Sequence, residues 1–251
     1  ANIAKNAGAI VISHKTNKGY GSALISLFDY ARENNVDAMI TIDGDGQHDP
    51  EEIPLLLKIM NQHNVDVVIG SRFLNSETNV SGYRKRGIKI ITSATNYGGD
   101  LKVTDSQSGF RAYSQNAINT IHPTEKGMSA STEILLKISN KGLSLAEVPI
   151  TVSYDGDTSE HNSVNHGVSV LGNTLKYVSI RHPLPFYAFP GITLMILGTI
   201  SGGLFLNAYM NHQSIFYGSL LASVVLFLLG AILIVTAIIL FSMANLIRDK
   251  S

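Results

Sequence analysis

The sequence predicts an α/β domain built on a mixed sheet, followed by two membrane-spanning helices. Three observations carry this. Short apolar runs at residues 36–43 and 65–70 alternate with amphipathic helical stretches. Nearly all charged residues precede Arg181, and none lies between His182 and Ile247. That uncharged tail holds two apolar runs, 186–210 and 215–240, each about long enough to cross a bilayer. The boundaries that follow are 1–180 for the α/β domain and 186–241 for a transmembrane helical hairpin.

The elements follow in order. Residues 1–7 read as the end of a helix and 8–13 as a short strand. Asn17-Lys18-Gly19-Tyr20-Gly21 is a turn, and the helix after it turns Ala23, Leu24, Leu27 and Ala31 inward. Residues 36–43 are the expected central strand. Asp49-Pro50-Glu51-Glu52 starts a helix, with Asp as cap, Pro first and Glu third. Residues 65–70 are the next strand, and strands separated by helices favour parallel pairing. Residues 73–82 are polar, without periodicity, and of a length that suits a lid or binding loop. A helix over 83–97 opens with Arg84-Lys85-Arg86. A loop from Asp105 enters a strand near Tyr113, and helices follow over 115–121 and 131–140. In the strand at 145–152, Pro149 favours an edge. A second polar loop covers 154–167, and an amphipathic helix over 168–180 leads to the apolar tail.

Bulk properties narrow the function. Nineteen basic residues balance nineteen acidic ones, so no global basic field points to nucleic acid. The absence of cysteine excludes disulfides and thiolate metal sites. The turn between the apolar runs carries no Lys or Arg, whereas Lys176 and Arg181 precede the pair and Arg248 and Lys250 follow it. Both ends are then expected on the cytoplasmic side of the bilayer. Gly198 and Gly202 have the spacing of a small-residue helix-packing face, which also allows self-association of the membrane helices.

The chemistry concentrates where the apolar run 40–42 ends in Asp43-Gly44-Asp45. On a continuing strand, residues i and i+2 point the same way. Two close carboxylates repel unless a cation lies between them, and all-oxygen ligands suit magnesium or manganese. Asp-Gly is also common turn chemistry. Gln47 is a third oxygen ligand or a surface residue, while His48 and Asp49 are assigned to the helix start. Arg72 and the Arg84-Lys85-Arg86 run are phosphate grips or solvated ends. Asp105 is a general base or a loop cap, and Glu133 a dipole partner or a functional carboxylate. The histidines show no paired spacing that would make a zinc site.

Several stretches recur in order over about residues 1–180. They are Asn17-Lys18-Gly19-Tyr20-Gly21-Ser22-Ala23, Asp43-Gly44-Asp45-Gly46-Gln47-His48-Asp49-Pro50, Gly70-Ser71-Arg72 and Arg84-Lys85-Arg86. Asp105-Ser106-Gln107-Ser108-Gly109-Phe110-Arg111 and Glu147-Val148-Pro149-Ile150 complete them. Together they resemble glycosyltransferase family 2, in the branch of polyprenyl-phosphate (dolichyl-phosphate) mannose and glucose synthases.

The resemblance implies a Rossmann-related GT-A-like fold and an inverting sugar transfer. The donor would be a GDP- or UDP-linked sugar, and the acceptor a polyprenyl or dolichyl phosphate held in the lipid bilayer. Asp43, Asp45 and Gln47 would surround a divalent cation, Mg2+ or Mn2+. Asp45, Arg72 and Asp105 are the implied catalytic residues. Asn17, Lys18, Gly19, Asp43, Arg84, Arg86, Ser108 and Glu133 are the implied substrate-binding ones. His161 stands where the family usually has basic residues after the Glu147 stretch, and is expected to substitute for them. The family's first two strands, which bind base and ribose, have no counterpart. The chain is therefore expected to expose a sheet edge and to bind nucleotide sugar poorly by itself. Two other readings compete. A processive polysaccharide synthase would carry a Trp motif, and this chain has no Trp. A degenerate transferase acting as a membrane-anchored subunit or scaffold is supported by the lack of those first strands and by the altered loop after Glu147, and opposed by the complete Asp43, Asp45 and Gln47 set.

Overall fold

The computed structural model describes residues 1–74, 82–153, 163–211 and 217–248. The chain divides into two units, Ala1–Thr174 and Leu175–Ser251.

The first unit runs α1 (Asn2–Asn6), α2 (Tyr20–Glu33), β1 (Ala38–Thr41), a 3-10 turn (Pro50–Glu52) and α3 (Ile53–His63). It continues with β2 (Val67–Ser71), α4 (Gly82–Gly99), β3 (Arg111–Ser114), α5 (Gln115–Thr120), α6 (Ala130–Asn140), β4 (Leu145–Pro149) and most of α7 (Ser163–Arg181). The described strands form one sheet in the order β1-β3-β2-β4. β3 is antiparallel to both neighbours, and β2 is parallel to β4. The sheet is mixed, as expected, but parallel pairing is confined to β2 and β4. β3 is inserted between β1 and β2, a placement that no local pattern dictates.

Alternation along β2 makes two cores. Val67 and Ile69 face Leu24, Phe28, Ile118 and Ile134 from α2, α5 and α6. Val68 faces Leu56 and Met60 of α3, with Phe110 and Ala112. Every residue of β2 is buried, which explains its unbroken apolar run.

Several expectations are corrected. The strand expected over 36–43 is shorter, Ala38–Thr41, and lies at an edge of the described sheet rather than at its centre. Residues 8–13 form no ladder, and Ile10 is 74% exposed. An apolar run becomes a strand only where a partner backbone can take its hydrogen bonds. On α2 the buried face is Gly21, Leu24, Phe28 and Ala31, while Ala23 and Leu27 face outward. The larger Phe28 takes the core position, edge-on to Tyr113 with ring centroids 5.0 Å apart. Residues 163–167, expected in a loop, belong to α7. Residues 75–81 and 154–162 of the two expected loops lie outside the described residues.

Other local signals hold. Asp49 caps the turn before α3, its Oδ1 accepting from Glu51 N at 2.9 Å. Glu52 closes no capping box; its Oε1 accepts from Thr151 N at 2.9 Å and ties the helix start to the segment after β4. β4 takes the other sheet edge, where Pro149 is tolerated.

The second unit carries a π-helical turn (Leu184–Ala188), α8 (Phe189–Met210) and α9 (Tyr217–Arg248). Leu184–Met210 and Tyr217–Leu246, with mean hydropathies of 1.7 and 3.2, are long and apolar enough to cross a membrane. The helices meet where side chains are missing. A Cβ on Gly230 would lie 2.5 Å from the Gly191 carbonyl oxygen, and one on Gly198 would lie 2.8 Å from Phe227 N. Gly202 stands further off, 3.5 Å from Ser223 Oγ. The close seam is therefore Gly191, Gly198 and Gly230 rather than the Gly198 and Gly202 pair.

Candidate active site

The site begins where β1 stops. The Thr41 hydroxyl donates to the Gly109 carbonyl at 2.7 Å and ends the strand against the loop before β3. The strand does not continue to Asp45. Residues 44–46 turn instead, with Gly46 at φ 75°, and Asp45 Oδ1 accepts from Gln47 N at 3.1 Å. The chain then pairs with the segment after β4: His48 bridges Val152, and Ser153 N donates to Gln47 O at 3.0 Å. A turn, not a strand face, sets Asp43 and Asp45 near one another.

Their electrostatics are coupled. Burial pushes the Asp43 carboxyl above the usual range; His48 opposes the shift and the neighbouring Asp45 adds to it. His48 is 9% exposed, with Nε2 4.0 Å from Asp43 Oδ2 and its ring tilted on Phe110. Burial lowers its pKa against the pull of Asp43, and its Nδ1 has no partner among the described residues. His48 thus packs against Asp43, a contact that reading it as part of a helix start did not anticipate. Its position directly after the Asp-Gly-Asp-Gly-Gln run was the available signal.

Arg72 and Asp105 form one unit. Arg72 Nε and Nη2 donate to the two Asp105 oxygens at 2.6 and 2.8 Å, and Asp105 is fully buried. Glu147 holds the Asp105 backbone, accepting from Thr104 N at 2.8 Å and Asp105 N at 3.1 Å. Burial raises the Glu147 pKa, and those donors oppose it. Arg111, also missed, is 1% exposed and donates to the carbonyls of Ser106 and Ser108 at 2.8 Å and of Ser131 at 3.1 Å. It fastens the 105–110 loop to the start of α6.

A cavity of about 530 Å³ opens beside these groups within the first unit. Asp45, Gln47, Arg72, Arg84 and Gln107 make it polar on one side, and Tyr83, Ile88, Ile91, Met128, Val168 and Leu171 line it with apolar surface. Four sequence-predicted residues, Asp45, Gln47, Arg72 and Arg84, thus share one space. Arg86 does not line it: two residues further along α4 it is turned by about 200° and exposed.

Asp43 and the other described candidates do not line the cavity. Asp105 orients Arg72 from the buried side. Ser108 is 1% exposed, its hydroxyl accepting from Phe110 N at 3.3 Å. Asn17 Oδ1 accepts from Gly19 N at 2.9 Å, the Lys18 carbonyl accepts from Ser22 Oγ at 2.8 Å, and Gly19 caps α2 at φ 90°. A Cβ on Gly19 would lie 2.5 Å from the Lys126 carbonyl oxygen, so the turn is moulded to that segment. His161 lies outside the described residues.

Glu133 is 1% exposed and anchors the segment before α6, accepting from Thr124 N and Glu125 N and pairing with Lys137 at 2.8 Å. Burial alone would raise its pKa; Lys137 and the Thr124 and Glu125 donors outweigh that and hold it below the usual range. A depressed carboxyl stabilises the fold above its unfolded pKa, and that stability is lost as pH falls through the folded pKa. Urea unfolding should therefore separate Glu133→Gln from wild type most at neutral pH. The gap should close as pH falls below about 4.3. A gap independent of pH would contradict the ionised anchor.

The donor set suits a hard divalent cation. Among the described residues no three His, Cys, Asp or Glu side chains cluster for a metal, so Gln47 would have to complete an all-oxygen set with Asp43 and Asp45. Asp45 also disfavours the charged form of Asp43, a repulsion that a cation between the two carboxylates would relieve.

The chain is similar to known proteins in sequence and in fold. Residues 1–121 match the model of glycosyl transferase family 2. A UDP-N-acetylglucosamine–dolichyl-phosphate N-acetylglucosaminyltransferase of Methanococcus voltae is 34% identical over 149 residues, 58% of this chain and 59% of that protein. A polyprenol monophosphomannose synthase of Mycolicibacterium smegmatis is 30% identical over 147 residues, 56% of this chain and 55% of its own. The chain thus spans less than two thirds of either relative's length. An uncharacterised protein of Methanocaldococcus jannaschii is 35% identical over 173 residues, 67% of this chain and 69% of that protein. Glucosyl-3-phosphoglycerate synthase of Mycobacterium tuberculosis superposes with a TM-score of 0.56 at 18% identity, covering 70% of this chain and 63% of that one. That likeness concerns the fold, which is GT-A-like. Taken with the relative matched over more than two thirds of its length, the family-model match means that the chain belongs to glycosyl transferase family 2.

Proposed function

We propose that the protein transfers a sugar, with inversion, from a nucleotide diphosphate sugar to a polyprenyl (dolichyl) phosphate at the cytoplasmic face of a membrane. The observation that carries this is the cavity, where acidic, basic and apolar surfaces meet. Relatives named for dolichyl-phosphate and polyprenol-phosphate transfer support the same reaction class.

Asp43, Asp45 and Gln47 would hold a divalent cation, magnesium or manganese. Bound there, it supplies Lewis-acid stabilisation of the charge on the departing nucleoside diphosphate. Support comes from the synthase of similar fold, whose complex contains Mn2+ with UDP-glucose. Arg72 lines the cavity, held in place by Asp105, and Arg84 enters from α4. Guanidinium groups match phosphate oxygens, so these two would orient the acceptor phosphate near the anomeric carbon. A phosphate oxygen is already ionised at neutral pH and needs no strong base. Both Asp105 oxygens are occupied by Arg72, which suits positioning rather than proton transfer. Ile88, Ile91, Met128, Val168 and Leu171 would take the first part of the isoprenoid chain and exclude water. The hairpin and its flanking basic residues would keep the chain at the cytoplasmic surface of the bilayer.

Acceptor kinetics test the assignment. Arg84→Ala should raise the KM for polyprenyl phosphate by about tenfold or more, with little change in the KM for nucleotide sugar. Arg86→Ala, outside the cavity, should do far less. Equal effects from the two arginines would place the acceptor phosphate elsewhere.

A further inference from the structure

We propose that Gly109 is a positioning residue for the Asp43 carboxylate: the space left by its missing side chain sets where that carboxylate stands. The geometry rests on packing alone, and the consequence for cation binding rests on the reading of Asp43 given above.

Gly109 lies in the loop that leads into β3. Its φ is outside the left-handed region, so its backbone conformation does not itself require glycine. The surroundings do. A Cβ built there would lie 2.5 and 2.7 Å from the two Asp43 oxygens and 2.8 Å from their carbon. Contacts that short do not persist, so one partner must move.

Gly109 is the partner that cannot yield. Its carbonyl accepts the Thr41 hydroxyl at 2.7 Å, which ties it to the end of β1. The next carbonyl, Phe110 O, accepts from Gly70 N at 2.9 Å, which ties it to β2. Arg111 holds the Ser106 and Ser108 carbonyls from inside the loop at 2.8 Å. Asp43, by contrast, has a rotatable side chain that is 41% exposed. An added methyl would therefore turn the carboxylate away and leave the loop in place. Where the groups that orient a metal ligand are disturbed, metal affinity typically falls by about 10–100-fold, and a displaced carboxylate is disturbed in the same sense.

The test uses the purified full chain with Mn2+ alone as probe, read by electron paramagnetic resonance. Wild type is compared with Gly109→Ala, Asp43→Ala, the double variant and Gly172→Ala. Gly172 is a control in α7, where a Cβ meets nothing within 4 Å. Gly109→Ala is expected to weaken Mn2+ binding by about tenfold or more with an unchanged circular dichroism spectrum, and Gly172→Ala to bind as wild type. Thermal unfolding without metal supplies a second readout. Gly109→Ala should lower Tm when Asp43 is present, and leave or raise it when Asp43 is alanine, because alanine at an unstrained site reduces the freedom of the unfolded chain. Equal Tm shifts in the two backgrounds would overturn the proposal. So would unchanged Mn2+ affinity in Gly109→Ala if Asp43→Ala loses it. If wild type and Asp43→Ala treat Mn2+ alike, the cation reading falls, and the Tm comparison alone decides the packing.

Discussion

Asp45→Ala is expected to lower sugar transfer by about 10³-fold, measured as label passing from nucleotide sugar into extractable lipid. Asp45 does two things. It presents a carboxylate to the cavity, and its Oδ1 holds the turn by accepting from Gln47 N at 3.1 Å. Alanine removes both, so Gln47 loses its placement along with the charge. Asp45→Asn separates the roles, because the amide oxygen can still accept from Gln47 N. If charge at the cation site is what matters, asparagine should be nearly as inactive as alanine. Near-normal transfer by asparagine would make the turn, not the charge, the contribution of Asp45. Full activity in Asp45→Ala would remove the cation site altogether.

Arg72→Ala should abolish transfer and also destabilise the first unit by about 3–5 kcal/mol, read by chemical denaturation. The size follows from what is left behind. Asp105 is fully buried, and Arg72 donates to both of its oxygens. Without the guanidinium, the carboxylate keeps backbone donors at Arg72 N and Gln107 N, at 3.3 and 3.2 Å, with Glu147 beside it. A buried charge that loses its partner costs more than the intact pair contributes. Replacing both residues, Arg72→Met with Asp105→Leu, should recover much of the stability and none of the activity. If the double variant is no more stable than Arg72→Ala, the loss does not come from the stranded carboxylate.

What could be read from residue order was what local chemistry decides. Asp49 caps a helix start through a hydrogen bond two residues away. Pro149 belongs at an edge because it lacks a ladder donor, and β2 announces its burial on both faces by an unbroken apolar run. The α2 period was legible, but its phase was not, because Leu27 and Phe28 compete for the core and the packing partner Tyr113 is remote in sequence. Strand order was hidden for the same reason: the position of β3 depends on pairings with two separate strands.

The site divides along the same line. The paired carboxylates, Gln47, Arg72 and Arg84 stand out as residue types in a spacing. Arg111 does not, since an arginine opening a strand reads as surface until carbonyls from Ser106, Ser108 and Ser131 converge on it. Glu133 at a helix start reads as a dipole partner, yet its acceptor oxygens hold the segment at Thr124 and Glu125. His48 reads as a prelude to a cap and turns out to be packed between Asp43 and Phe110.

Cation-dependent transfer to a lipid phosphate is the central claim, and one assay tests it most directly. Membranes carrying the protein, expressed from its full reading frame, would receive labelled GDP- or UDP-linked sugars and polyprenyl phosphate, with Mg2+ or Mn2+ or with excess chelator. The account predicts lipid-extractable label that requires both the polyprenyl phosphate and the cation, and disappears with chelator. Transfer that persists in chelator, or no transfer to polyprenyl phosphate from any of these donors, would contradict it.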